Sequence, residues 1–227
     1  MTSAHPGKTA WVTQNLPPLE NGDRLTRPEF ERRYAAMPAV KTAELIEGLV
    51  HMASPVRTTQ HGDPHARIMA WLGIYWAATP GVQVSDNATV RLDADNEVQP
   101  DALLRLASKG QSQIGATGYI EGAPELIVEI AASSASIDLH QKRQVYRRNQ
   151  VQEYVVWQVY DGVLTWLQWQ EGEYVPLAAN AIGQLCSQAF PGLWLDAGAL
   201  LSGNLATVLA VGQAGIASAA HQRFVNP

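Results

Sequence analysis

Apolar positions along the chain alternate between two periods, and the changes of period mark its elements. "AELIEGLVHMA" (43–53) carries two short apolar runs around Glu47-Gly48 and reads as two strands joined by a tight turn, with one bulged strand as the alternative. In "DPHARIMAWLGIYWAA" (63–78), Ile68, Met69, Leu72, Tyr75 and Trp76 recur at the spacing of one helix face. Asp63 is placed to cap that helix and Pro64 suits its first turn. "GVQVSDNATVRL" reads as two short strands, and "EVQPDALLRL" as a strand interrupted by Pro100. Residues 125–131, within "GAPELIVEIAASSAS", form a continuous run suited to a buried strand. The helical period returns in "IDLHQKRQVYRRN" (137–149). "EYVVWQV" and "VLTWLQWQ" then flank Asp161-Gly162, a strong hairpin signal, and Glu171-Gly172 offers one more turn.

Between these elements, "TRPEF" opens a short helix, with Thr26 as its cap and Glu29 completing a capping box. Residues 107–118 form a Gly/Ser-rich, flexible loop, and the last stretch is helical but rich in glycine. The order is helix, strands, helix, strands, strand–helix–strand, hairpin. It predicts an α/β (mixed α+β) domain, a small mixed sheet flanked by helices. An irregular lead-in (1–25) precedes the domain proper (26–203), and a helical extension (204–227) packs on it.

Composition narrows the function. The chain has 227 residues, 46% of them hydrophobic, enough for one sizeable core. A net charge of -5 speaks against a protein that coats nucleic acid with a broad basic surface, and leaves a local basic groove open. The lone cysteine, Cys186, excludes a disulfide framework and a cysteine zinc cluster. No signal peptide is evident, and no stretch approaches the about 18 consecutive apolar residues of a membrane span. A cytoplasmic protein with no membrane attachment is expected.

Three charges sit where packing alone would place something else. Asp101 follows Pro100 in a strand otherwise carrying Leu103, Leu104 and Leu106. Glu129 interrupts the apolar run of Ile127, Val128 and Ile130. Lys142 falls between Leu139 and Tyr146 on the stripe that should face the core. An ionised carboxylate in an apolar interior costs several kcal/mol or more unless it is paired, protonated or metal-bound. Each residue alone has a plain reading, a solvated strand end or a snorkelling lysine. Together, two carboxylates and a lysine on adjacent strands and the next helix suit a magnesium-dependent phosphodiesterase. His61 and His65 have the i,i+4 spacing of a helical zinc pair, but Gly62 and Pro64 argue against their sharing one regular helix. Ser133, Ser134 and Ser136 lack a nucleophile elbow and read as a turn and helix cap. Arg143, Arg147 and Arg148 read as a solvated face, and the seven tryptophans as core or a subunit interface.

"PDALLRL", "PELIVEIAASSASIDLHQKRQVYRRNQVQEYVVW", "AELIEGLVHMASP", "FPGLWLD" and "GIASAAHQRFV" together resemble a large bacterial family known as Uma-two. Its restriction-endonuclease-like domain belongs to the PD-(D/E)XK nuclease superfamily. The resemblance implies a restriction endonuclease-like core and a metal-dependent endonuclease acting on DNA. It matches Asp101 and Glu129 to the metal-binding acids, aided by the main-chain carbonyl of Ile130, with Mg2+ or Mn2+ as the cofactor. The superfamily's usual lysine position is Ala131 here, and Lys142 matches a variant whose lysine has moved to the following helix. Glu44, His65 and Asp138 match supporting positions; Asp138 either caps the helix or holds Lys142. The chain departs from the family in "AASSAS", where a Ser-Pro-Ser-Thr turn is usual, and in Ala43, where an aromatic is usual. The competing expectation is a catalytically silent nuclease fold serving as an oligomeric or nucleic-acid-binding module. A homodimer is the expected assembly.

Overall fold

In the computed structural model, residues 16–52, 57–132 and 134–226 are described. The first helix, α1 (Arg27–Ala35), precedes the hairpin of β1 (Ala43–Ile46) and β2 (Leu49–Met52). Glu47 and Gly48 between them both take left-handed backbone (φ 53° and 73°), the turn whose twist matches a two-residue hairpin. A wide helical turn, Thr58–Gly62, runs into α2 (Asp63–Ala78). Then come β3 (Val82–Asp86), β4 (Val90–Arg91), β5 (Glu97–Val98) and β6 (Ala102–Leu106). The short β7 (Gln113–Ile114) and β8 (Ile120–Glu121) precede β9 (Leu126–Ala131). A second wide turn, Ile137–Lys142, leads into α3 (Arg143–Arg148). The hairpin expected after it is β10 (Glu153–Gln158) and β11 (Val163–Gln170), extended by β12 (Glu173–Pro176). The chain closes with β13 (Leu185–Cys186), β14 (Trp194–Leu195), α4 (Ala197–Leu201), α5 (Leu205–Ile216) and α6 (Ala219–Val225).

The strands form two six-stranded sheets and a two-stranded one, more sheet than the single small one expected. The main sheet runs β12-β11-β10-β9-β6-β3, and the other runs β2-β1-β5-β4-β8-β7. That second sheet includes four two-residue strands, β4, β5, β7 and β8; β4 and β5 fall in stretches read as strands, whereas β7 and β8 are too short to show a period of two in the sequence. Two of them lie in or beside the Gly/Ser-rich loop: Gln113 and Ile114 pair with Glu121 and Ile120.

Within the main sheet, β9 and β10 are parallel, Glu129 standing beside Val156. Parallel neighbours need a crossover, and the segment 137–148 supplies it. One face of the sheet packs on α2 and the C-terminal helices, with Trp71, Tyr75, Val128, Ile130, Trp166 and Val208 in that core. The other face, carrying Leu103, Ile127 and Tyr154, packs on the crossover through Tyr146 and on the second sheet. Both faces of β9 are therefore covered, and all six of its residues are buried.

Two capping expectations are corrected. Thr26 makes no side-chain cap bond, the Glu29 N–H going to its main-chain oxygen at 3.1 Å, and the Glu29 carboxylate turns to Arg32 and Arg33 rather than back to Thr26. Asp63 is the first residue of its helix rather than its cap, since the wide turn runs straight into it. The stripe of α2 is also shifted. Pro64, Ile68, Trp71, Leu72 and Tyr75 are buried, while Trp76 is 49% exposed. Trp71 can be buried because its indole N–H donates to the Trp194 carbonyl at 2.9 Å.

In the second sheet, burial pushes the Glu97 carboxyl up to about 7, Glu31 beside it adding to the effect and Arg91 opposing it. A carboxyl whose folded pKa exceeds its unfolded value binds extra protons when folded. Its contribution is present at low pH and is lost as pH rises through about 7. Relative to wild type, Glu97→Gln is therefore expected to gain on the order of 2 kcal/mol between pH of about 4.5 and about 8. Urea denaturation at the two pH values measures this; equal differences at both would contradict it.

Candidate active site

Side chains alternate along β9, so Glu129 points the same way as Ile127 and Ala131, away from the α2 core. Antiparallel pairing places Ala102 of β6 opposite Val128. One residue beyond that ladder, Asp101 comes opposite Glu129 on the same face. The register thus brings together two predicted acids that stand on separate strands, with β7 and β8 between them in the chain.

The crossover lies on that face. Lys142 Nζ is 3.0 Å from Glu129 Oε1, 2.9 Å from Glu44 Oε1 and 3.7 Å from Asp138 Oδ1. Tyr146, one turn further, donates its hydroxyl to the same Glu129 Oε1 at 2.7 Å. Tyr146 packs edge-on against Tyr154, whose hydroxyl donates to the Asp138 main-chain oxygen. Glu44, on β1, accepts the Gln99 N–H at 2.7 Å. Of the two expectations for Asp138, holding Lys142 fits the geometry: it lies beside the ammonium, and its Oδ2 accepts from Ser134 Oγ at 2.5 Å. Ser133 lies outside the described residues, and Ser136 makes no side-chain cap bond.

Asp101 lies nearer the surface, its side chain 13% exposed. Its Oδ2 accepts the Ile130 N–H at 2.6 Å, and its Oδ1 is 2.9 Å from His61 Nε2. His65 Nε2 bonds the Asp101 main-chain oxygen at 2.9 Å and is 3.1 Å from Asp86 Oδ1. The two imidazoles stack, their centroids 5.8 Å apart. As expected, the histidines do not share one regular helix: His61 lies in the wide turn and His65 in α2, yet the two elements are continuous. The turn Thr58–Gly62 widens just before Pro64, whose missing N–H would break a tighter ladder, and the segment continues into α2. Both histidines then turn to Asp101.

Three carboxylates, from Glu44, Glu129 and Asp138, thus gather about one lysine, and Asp101 lies close enough to act on Glu129. Burial pushes the Glu129 carboxyl well above its ordinary range; Lys142 pulls it back, and Asp138, Asp101 and Glu44 push it further. Burial likewise raises Asp138, against Lys142 and Ser134. For Lys142 burial disfavours the charge, but Glu129, Glu44 and Asp138 outweigh it and keep the ammonium protonated. The hydrogen bond to Asp101 raises His61, against its partial burial.

The donor set suits a hard divalent cation: two carboxylates on one face, negative charge in excess, and a buried Asp138 Oδ1 that has no hydrogen bond among the described residues. Among the described residues no three His, Cys, Asp or Glu side chains already form a metal cage. Two carboxylates alone would leave water as the remaining ligands of any such ion.

Sequence reasoning passed over four groups here: His61, His51, Asp86 and the hydroxyl of Tyr146. His51 was derivable. A two-residue turn at Glu47-Gly48 makes it the cross-strand partner of Glu44, as observed. Its Nε2 is buried without a hydrogen bond, and burial holds its pKa low, against Glu44 and together with Lys142. The i,i+4 spacing was the signal for His61. Asp86 and the Tyr146 hydroxyl carried none. Arg147 and Arg148 hold Glu173 and Glu47 at the surface, in keeping with a solvated face.

A crystal structure of "a putative nuclease belonging to DUF820 from Anabaena variabilis" shares this fold, with a TM-score of 0.56 and 14% sequence identity, over 75% of this chain and 96% of that one. No curated protein matches the sequence. Among described residues, no helix is long and apolar enough to cross a membrane. The family model described as "Uma2: Putative restriction endonuclease" matches residues 27–198. That span is well over half of the chain, which therefore belongs to the Uma2 family.

Proposed function

We propose that the protein is a metal-dependent endonuclease that hydrolyses DNA phosphodiester bonds. The observation that carries the reading is the convergence of Asp101, Glu129 and Lys142 on one face of the main sheet, with Lys142 3.0 Å from Glu129. Family membership and the shared fold agree with it. Asp101 and Glu129, with the Ile130 carbonyl, would hold Mg2+ or Mn2+. Bound there, the ion supplies positive charge to the phosphate and acidifies a water.

The chain's own residues do the rest. The Ile130 N–H orients Asp101 through Oδ2, and Oδ1 meets His61. Tyr146 fixes Glu129. Lys142, kept charged by its carboxylates, polarises the scissile phosphate or the attacking water as a point charge. Glu44 and Asp138 hold the ammonium in place.

The test is calorimetric titration of Mn2+ into wild type and Asp101→Asn, with plasmid nicking on the same samples. Binding and nicking in wild type, both weakened about a hundredfold or more in the variant, are expected. A wild type that binds no metal and nicks no DNA would overturn the reading. The second reading, a silent module, draws on the closed pairing of Glu129 with Lys142 and Tyr146. Nucleic-acid binding without cleavage of DNA or RNA would favour it.

A further inference from the structure

Asp101 has two side-chain oxygens, and one is committed inside the fold. Oδ2 accepts the Ile130 N–H at 2.6 Å, a bond that ties the end of β6 to β9. The oxygen not tied to the main chain, and so the freer one for a cation, is Oδ1. That oxygen faces His61 Nε2 at 2.9 Å. Facing a carboxylate oxygen, Nε2 carries its hydrogen and donates; its lone pair is then not available to a metal. His61 and a cation therefore draw on the same anionic oxygen.

The surroundings fit a displaceable contact. His61 stands on the wide turn at the start of the α2 segment, with its side chain 20% exposed, while His65 behind it is held by the Asp101 carbonyl and Asp86. His65 supplies the ring against which His61 stacks. The ring can leave Asp101 toward solvent without disturbing the strands. None of the deeper groups has this freedom: Glu129, Lys142 and Asp138 are all buried.

We propose that His61 is a positioning residue, a latch that holds the spare oxygen of Asp101 until a divalent cation displaces it. The inference rests on the metal-dependent reading above. Before a cation arrives, the latch keeps Asp101 aimed at the site and removes one bare carboxylate oxygen from a cluster already rich in negative charge. It does so at the expense of cation affinity.

Titration of Mn2+ into the full chain tests this, comparing wild type with His61→Ala and His61→Phe. The phenyl ring of H61F keeps the stack on His65 but has no donor, so it guards against a folding defect in H61A. Removing a hydrogen bond to a charged partner is expected to tighten Mn2+ binding about tenfold or more. In an Asp101→Asn background the same exchanges are expected to change affinity little, because the contested anionic oxygen is gone. Weaker binding in both variants would make His61 a support of the metal site and overturn the latch. So would unchanged affinity. If wild type and variants all fail to bind Mn2+, the metal reading itself falls and the latch with it; binding by wild type alongside unchanged variants sinks the latch alone.

Discussion

Exchange of Glu129 for glutamine is expected to lower DNA nicking by about a hundred- to a thousandfold or more while leaving the fold at least as stable. The two effects have one cause. Glu129 sits in a strand covered on both faces, at 3% exposure, beside three further carboxylates. Burial raises its pKa in the folded protein, so its ionised form weakens the fold as pH rises above the ordinary carboxylate range. Glutamine keeps an oxygen for the Tyr146 hydroxyl and removes one negative charge from the cluster. It also removes the hard anionic oxygen that a divalent cation needs. Thermal melts at a pH of about 8, Mn2+ titration and plasmid nicking, run on the same preparation, check the three parts. A variant that is more stable yet nicks DNA as wild type does would show that the carboxylate is no catalytic group. A variant that fails to fold would show that the Lys142–Glu129 pair outweighs the carboxylate repulsion.

Exchange of Lys142 for methionine is expected to produce the larger loss of stability, about 3–5 kcal/mol. Methionine retains most of the stem, so packing changes little and the loss reports the charge. The Lys142 ammonium lies within reach of Glu44, Glu129 and Asp138. Removing one partner of a buried ion pair leaves the other uncompensated, and here three acids lose it together. Urea denaturation at a pH of about 7.5 measures the change. Adding Glu129→Gln to the methionine variant is expected to restore part of it, since one repelling charge goes. A methionine variant within about 1 kcal/mol of wild type would mean that the acids neutralise themselves by taking up protons.

Both expectations draw on features that differ in how visible they were along the chain. The hairpin at Glu47-Gly48, the helix 63–78 and the strand–helix–strand order around Glu129 are local, and short-range periodicity announces them. So were the three charges. Each broke the pattern of its own element: an acid in an apolar strand, a lysine on an apolar stripe. A resemblance to known nucleases added roles to those same positions, and family membership agrees with it.

What stayed hidden was of three kinds. Strand pairing joins distant segments, and β7 and β8 are too short to have a period, so the grouping of β1, β2, β4 and β5 with them into a second sheet could not be seen. Capping depends on which competing partner a side chain finds, and Glu29 found two arginines rather than its helix terminus. His61 was set aside because Gly62 and Pro64 exclude one regular helix through both histidines; that exclusion holds, but the wide turn before Pro64 still carries its ring to Asp101.

The main-sheet strands, the crossover and the residues at odds with their surroundings were thus written in short stretches of sequence, because backbone periodicity and the cost of burying a charge act locally. Which of those residues meet was left to the assembled fold. The β6–β9 register sets Asp101 against Glu129, the crossover brings Lys142 onto the same face, and the β1–β2 hairpin delivers Glu44 and His51. Contacts between residues far apart in the chain follow from strand pairing and packing of whole elements, which no single stretch encodes. The gathering of four acids and one lysine at one site is a property of that assembly, and so is the charge balance on which the proposed chemistry rests.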